Sequence, residues 1–576
     1  MLITQSLTIK RGAYFLESEK LETPVVTISG DNIVVDFNGA ILNGTADPMQ
    51  PDLFKGMGIF IENGKNIQII NAVIKGFKIG LLAENVDSLQ IQTSNFSHNY
   101  RQRLKSTPDM EDLGDWLSHH DNDKDEWLRY GAGMYLKNCD QALVKDVTAN
   151  EGQNGLLLVN CNNGLFYNNN MQFNSGLGIG LYHSSENRIL HNKLDWCIRG
   201  YSHGIYNRGQ DAAGILVYKM SNKNVVAYNS ATHGGDGFFL WSGNTFIEKG
   251  VGGCNDNLVY GNDFSHASNN GVEITFSKNK IINNKINDCH YALWGGYSYE
   301  SIIAGNRMHG NTHGVAFEHG HLNEIYGNHL EDTDIGIQLW ERPVQPKEWI
   351  FTKNSDISSR NYLIQNNVFT KVKEPLKIED SKDVLIEKNY FANFQRLLKS
   401  SPTNKALQFI NNSIYQSDLL GDAYDFRNDN KILSGGPVPP INNKDVIEKY
   451  KVDPLSDGYK TDLPEHTLRG RQYMLLTKWG PYNFQYPSIW LRRVEGDQYT
   501  FALFGPQGNW KIVGGSGFTS FSRKTGAMPA TVVATKGGAD KPNLKVELEF
   551  IGTAFTDQLG HAFEKGRVYP FEFLLE

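Results

Sequence analysis

What this chain has little of narrows the field first. Five cysteines in 576 residues, an odd count at irregular spacing (Cys139, Cys161, Cys197, Cys254 and Cys289), make no disulfide framework, and no CxxC pair suggests structural zinc. No apolar run approaches the roughly 18 residues of a membrane-spanning helix. A basic excess is missing too: 56 Lys and Arg against 63 Asp and Glu leave a formal charge of -7, which offers duplex nucleic acid no footprint. The opening MLITQSLTIK has neither the n-region nor the apolar h-region of a secretory signal. Apolar residues make up only 40% and mean hydropathy is -0.43, yet there are 57 Gly, 26 Tyr, 30 Phe and 10 Trp. So many aromatics exclude a disordered chain. The length excludes one compact core unless the architecture repeats.

It does repeat. Asparagines that follow short apolar runs stand at Asn262, Asn284, Asn306 and Asn328, in three equal steps of 22 residues. The series resumes at Asn367, Asn389 and Asn412, and backwards it passes Asn229, Asn192 and Asn169, starting again near Asn71. A second ruler is glycine followed by alternating apolar residues: Gly58, Gly80, Gly133, Gly155, Gly178, Gly214, Gly237, Gly271, Gly314 and Gly336, with Ala292 in the missing slot. Alternation with period two, as in Gly271-Val272-Glu273-Ile274-Thr275, marks half-buried strands. Strands that return to one place every 22 residues stack in parallel, about 4.8 Å per coil. The repeated Asn then forms an internal ladder, bonding to turn backbone and to the Asn of the next coil.

This pattern resembles the right-handed parallel β-helix proteins, with the short Asn/Gly-rich repeats of carbohydrate-active enzymes and of NosD-like periplasmic proteins in the pectin-lyase-like superfamily. The resemblance covers about residues 20–420. It implies an all-β fold and a carbohydrate-active protein, but it is permissive for activity, since the scaffold carries hydrolases, lyases, esterases and C5-epimerases. Pectate-lyase, polygalacturonase and Asp-Pro-His-Glu epimerase signatures are not evident. The expected organisation is a β-helix over 1–425, a Gly/Pro-rich polar linker over 426–470, and an antiparallel β-sandwich over 471–576, read from apolar runs that no longer keep the period. Compartment follows from the same resemblance: secreted or periplasmic, with the signal peptide absent from the sequence as it stands.

Where the ruler breaks, chain leaves the scaffold, and such excursions carry function. Three are legible, at about 98–130, 197–213 and 242–255, and they are expected to wall one groove. Counting from each ruler glycine, positions +1 and +3 point inward and +2 and +4 outward. The +4 column reads Tyr182, Tyr218, Trp241, Thr275, Gly296, Glu318 and Trp340, and the +2 column includes Phe239, Glu273 and Trp294. Flanking turns supply His233, Asp236, His290, His313, Lys219, His319 and Arg342. An outward file of Tyr and Trp suits stacking on sugar rings. The expected substrate-binding residues are therefore Tyr182, Tyr218, Lys219, His233, Trp241, Trp294, Tyr297, His319, Trp340 and Arg342.

Glycoside hydrolysis needs two carboxyl groups across the scissile bond. Glu273, Glu318 and Asp236 are the acid and base candidates, with His290 and His313 as further catalytic candidates. Carboxylates outnumber cations in this groove, which favours a neutral-sugar glycoside hydrolase. The alternatives are a polysaccharide lyase or uronan C5-epimerase using His290, Tyr297 and Lys219, and a non-catalytic glycan-binding β-helix. A poly- or oligosaccharide is the expected partner, with no nucleic acid and no membrane span. No resident metal or other cofactor is expected. The one candidate metal motif is calcium at Asp121, Asp123 and Asp125, but the turn glycine and position-12 Glu of a calcium loop are missing, so a solvated acidic loop is the preferred reading.

Overall fold

The Asn ruler is an interior ladder. In the computed structural model, which describes residues 1–117, 121–415, 429–433, 438–455, 468–537, 541–557 and 560–574, Asn262 donates both its backbone N–H and its Nδ2 to Oδ1 of Asn284, each at 2.9 Å. Asn284 does the same to Asn306, and Asn306 to Asn328. Each amide also donates to a carbonyl, as Asn306 does to Ile281 at 2.8 Å. A buried amide is tolerated only when satisfied in this way. The residue just before the ladder turns the chain: Gly305 has φ +68 and Gly327 has φ +59, the left-handed region that Gly and Asn tolerate best. The second ruler has a steric cause. A Cβ on Gly237 would lie 2.6 Å from the carbonyl oxygen of Gly271 in the next coil.

Two units are distinguished, Met1–Ala46 with Pro51–Pro481 and Asp47–Gln50 with Tyr482–Glu576. The first is a right-handed parallel β-helix. Two of its faces are 15-stranded parallel sheets, and the third comprises three- and seven-stranded parallel sheets linked through single bridges. One apolar core, from Ile3 to Ile414, fills the interior coil by coil. Such a stack grows without one giant core, because each coil contacts mainly its neighbours.

Part of the stretch expected as linker belongs to the β-helix. Lys431–Leu433 adds a strand to the third face. The short helix Lys444–Lys449 and the residues after it lay Val446, Ile447, Tyr450 and Val452 on Tyr167, Ala227 and Tyr260 of the second sheet. The Gly435-Gly436-Pro437 segment and 456–467 lie outside the described residues. Residues 471–481 also stay with the first unit, with Arg471 bonded to Asp288. The second unit by itself holds two four-stranded antiparallel sheets sharing a core of Phe501, Leu503, Val532, Trp510, Leu544 and Val546.

Candidate active site

Four successive strands of the first sheet floor the site, β2 (Asp236–Trp241), β3 (Asn270–Ile274), β4 (Tyr291–Trp294) and β5 (His313–Glu318), between β1 (Ala213–Tyr218) and β6 (Ile335–Trp340). In register, Phe239 lies beside Glu273, Glu273 beside Trp294, and Trp294 beside Ala316. Inward neighbours such as Val272 and Ile274 are fully buried, so alternation turns Glu273 outward. Over this floor stands a cleft of about 1080 Å³.

The walls come from excursions. Trp116 belongs to the first, and Arg208 and Asp211 to the second. These two are locked together by a fully buried pair: Arg199 Nε donates to the Asp115 backbone oxygen at 2.7 Å, and the Asp115 carboxylate accepts the N–H groups of Lys105 and Ser106. At the rim, Trp116 Nε1 donates to Asp211 Oδ2 at 2.5 Å, and the Arg208 guanidinium lies 3.5 Å above the Trp116 ring. The opposite wall is built on helix α1 (Asn244–Lys249) and helix α2 (Ile350–Asn354). Phe246 and Phe351 meet at 5.2 Å over Phe276 and Tyr297.

At the centre, Asn270 holds two carboxyl groups. Its backbone N–H donates to Asp236 Oδ1 at 2.8 Å, and its Nδ2 to Glu273 Oε2 at 2.7 Å. Burial is the main cause that pushes Asp236 up to about 8, with the Asp211 charge adding to it. Glu273 is held well above the usual carboxyl range, first by burial and then by the charges of Asp236 and Asp211. Arg208 and Asn270 offset this only partly. Like charges this close in a poorly solvated site do not both ionise freely, so the pair retains protons into the neutral range.

Glu318 lines the same cleft in a different state. Its Oε1 accepts from Arg342 Nε at 2.5 Å and from Trp340 Nε1 at 3.0 Å, and this bond raises the Arg342 guanidinium above its ordinary range. Glu318 is thus tied into the wall by Arg342 and Trp340.

Of the expected site residues, Glu273, Asp236, Glu318, Trp241, Trp294, Tyr297 and Arg342 line the cleft. The others do not. Tyr182 and Tyr218 are 2% and 0% exposed beneath Trp127 of the first excursion, so they form a secondary core instead of a sugar platform. Lys219 Nζ is taken up by Asp121 at 2.7 Å and by the Tyr182 hydroxyl. His233 is buried, its ring stacked 4.1 Å from Trp196. His290 and His313 cross ring to ring at 5.4 Å away from the lining, and burial together with His290 pushes His313 down to about 4. His319 braces the α2 wall, with Nδ1 donating to the Ile357 oxygen and Nε2 accepting from the Arg342 and Gln345 amides. Trp340 serves Glu318 from outside the lining.

In the acidic motif each carboxylate meets a protein donor. Asp121 faces Lys219, Asp123 accepts from the Tyr182 hydroxyl, and Asp125 faces Lys137 at 2.7 Å. His119 and His120 of the same excursion lie outside the described residues.

Asp211, Arg208, Trp116 and the α2 wall were missed from sequence. Arg208 and Asp211 sit inside the excursion CIRGYSHGIYNRGQDAA, but nothing local says which of its residues turns toward the groove. The α2 excursion had a signal: the ladder step from Asn328 to Asn367 is 39 residues instead of 22.

A family model described as periplasmic copper-binding protein (NosD) matches residues 115–249 and 245–428. No curated protein matches the chain in sequence. Among solved structures it is similar to a mutant of the periplasmic alginate epimerase AlgG, at 10% identity over 70% of this chain and 79% of that one, TM-score 0.38. A second is the A-module of the Azotobacter vinelandii mannuronan C-5 epimerase AlgE6, at 12% identity over 69% and 91%, TM-score 0.36. A third is DFA-IIIase from Arthrobacter chlorophenolicus A6 in complex with GF2, at 11% identity over 57% and 80%, TM-score 0.32.

The described donors do not fit the copper of that family description. Among the described residues no group of three or more His, Cys, Asp or Glu side chains is placed to hold a metal ion. The five cysteines are buried, and burial raises the thiols of Cys161, Cys197, Cys254 and Cys289 away from the thiolate a metal needs.

Proposed function

The chain belongs to the NosD family of β-helix proteins, and on that scaffold we propose that it is a glycoside hydrolase acting on a poly- or oligosaccharide in the cleft. One observation carries the reading: Asp236 and Glu273 are joined through Asn270 on the floor of an aromatic-walled cleft, where burial raises both carboxyls so that one can hold a proton while the other is ionised. A protonated member of the pair donates to the glycosidic oxygen as the bond to the anomeric carbon breaks. The ionised partner takes a proton from the water whose oxygen bonds to the anomeric carbon, which completes the hydrolysis. Trp241, Trp294 and Trp349 offer ring faces to the sugars, and Arg342, held by Glu318, offers its remaining N–H donors to hydroxyls. Asp211 completes a three-carboxyl cluster whose charge helps stabilise a developing oxocarbenium ion.

The lyase or epimerase reading has less support, because Lys219 is bonded to Asp121 and His290 stands outside the lining. An extracytoplasmic site of action, in keeping with the family's periplasmic description, is part of the same proposal. The test is a polysaccharide panel followed by reducing ends and by ultraviolet absorbance. New reducing ends without an unsaturated chromophore support the hydrolase; a chromophore supports a lyase; a shift in uronate configuration without cleavage supports an epimerase. Binding without any change supports a glycan-binding protein.

A further inference from the structure

The cleft is closed at one end along the helix axis. Toward the N-terminal coils, the outer face of the first sheet is roofed by Trp127, whose ring lies 5.4 Å from Tyr182 and 6.1 Å from Tyr218. The same apolar cluster continues to Phe239, where the cleft begins. Asp121 seals the corner, accepting from Lys219 Nζ at 2.7 Å and from Thr245 Oγ1 of α1 at 3.2 Å. The flanks are the Trp116–Asp211 rim and the α1–α2 wall. The remaining direction is different. Trp294 and Trp340, 5.5 Å apart, lead toward the later coils, and among the described residues no helix or long excursion interrupts the strands from Arg360 to Tyr415.

The carboxyl pair sits hard against the closed end. Ala213 and Leu216 of that apolar cluster lie in register beside Asp236 and Phe239, and Phe239 beside Glu273, so the roof edge and the pair are one to two coils, about 5–10 Å, apart along the axis. That distance admits a short stub of sugar beyond the reacting bond, and a continuing chain would have to pass through Trp127. We infer that the cleft takes the end of a glycan chain and cuts a short piece from it, an exo mode in which the polymer leaves over Trp294 and Trp340. This rests on the hydrolase reading above and deepens it.

The full chain is tested on soluble xylan, β-glucan, starch, chitosan, pectin and alginate, with viscosity, reducing ends and product size followed together. On the polymer that is cut, short products are expected from the start while viscosity stays near its initial value. Oligosaccharides of that polymer capped at both ends with a bulky fluorophore should be cut at least about tenfold more slowly than uncapped ones. Early collapse of viscosity with long products, or equal rates on capped and uncapped substrate, overturns the inference and leaves the hydrolase standing. No reducing ends from any polymer overturns both. Trp127→Ala, which thins the roof, should lengthen the released product; if that variant does not fold, the wild-type viscosity and capping results decide alone.

Discussion

Asp236 and Glu273 are coupled through one residue, Asn270, which gives its backbone N–H to the first and its side-chain amide to the second. A single backbone position therefore sets both the spacing and the electrostatics of the pair. Neither partner occupies an ordinary surface-carboxylate environment, and the consequences are measurable.

Glu273→Gln and Asp236→Asn should each lower kcat by about 100-fold or more, the usual contribution of a positioned acid or base. Thermal unfolding should show no loss of stability, because each amide keeps the shape and the neutral form that burial already favours. Full activity in both variants, read by reducing ends, would rule out this pair as the catalytic site.

The pair also predicts a pH-dependent stability. Asp236 is pushed from the ordinary value of 3.8 up to about 8, so the folded state binds more protons than the unfolded chain between those values. The stabilising contribution is then complete below about pH 4 and is lost as pH rises through about 8. Denaturant midpoints should fall over that window in the wild type and fall less in Asp236→Asn. The same loss of protons should give kcat/KM an alkaline limb.

Asn270→Ala removes the amide donor to Glu273 but keeps the backbone N–H on Asp236. A hydrogen bond to a carboxylate favours its charged form, so removing it should raise the Glu273 carboxyl further and move the alkaline limb to higher pH. A loss of activity with an unmoved pH profile would mean that Asn270 is only packing.

Glu318 is 4% exposed and relies on Arg342 and Trp340. Arg342→Ala should destabilise by about 1–3 kcal/mol, the cost of leaving a buried acceptor short of a partner. Its kinetic effect should appear in KM more than in kcat. A kcat collapse in Glu318→Gln equal to that of Glu273→Gln would restore Glu318 to the catalytic pair.

Asn306→Ala breaks the ladder at four points: the N–H and Nδ2 of Asn284 lose their acceptor, and the Ile281 oxygen and Asn328 Oδ1 each lose a donor. At about 1–3 kcal/mol for a buried unsatisfied group, the loss should exceed that of any cleft substitution above. Chemical denaturation followed by circular dichroism measures it.

The β-helix was legible because its rules are local and repeated. Gly237 is required by the carbonyl of Gly271 in the next coil, and Asn306 by the polar groups of its neighbours, so each coil writes the same constraint into the chain. The floor of the cleft followed from the same count, which turned Glu273, Trp241 and Trp294 outward. Excursions obey no such period. Nothing near Trp127 in sequence says that it roofs Tyr182 and Tyr218, or near Asp211 that it meets Trp116 across 95 residues.

The sequence by itself thus determined the coil, its ladder, the side of each strand that faces out, and an acidic, aromatic groove on one face. Only the tertiary structure decided which outward aromatics stay open, which acids are free, and where the groove ends. The physical reason is range. Strand alternation and coil stacking are fixed by neighbours one residue or one coil away, whereas burial and ion pairing depend on loops that arrive from distant parts of the chain. Arg342 reaching Glu318 ties one candidate carboxylate into the wall, and Asn270 joins the other two, Asp236 and Glu273.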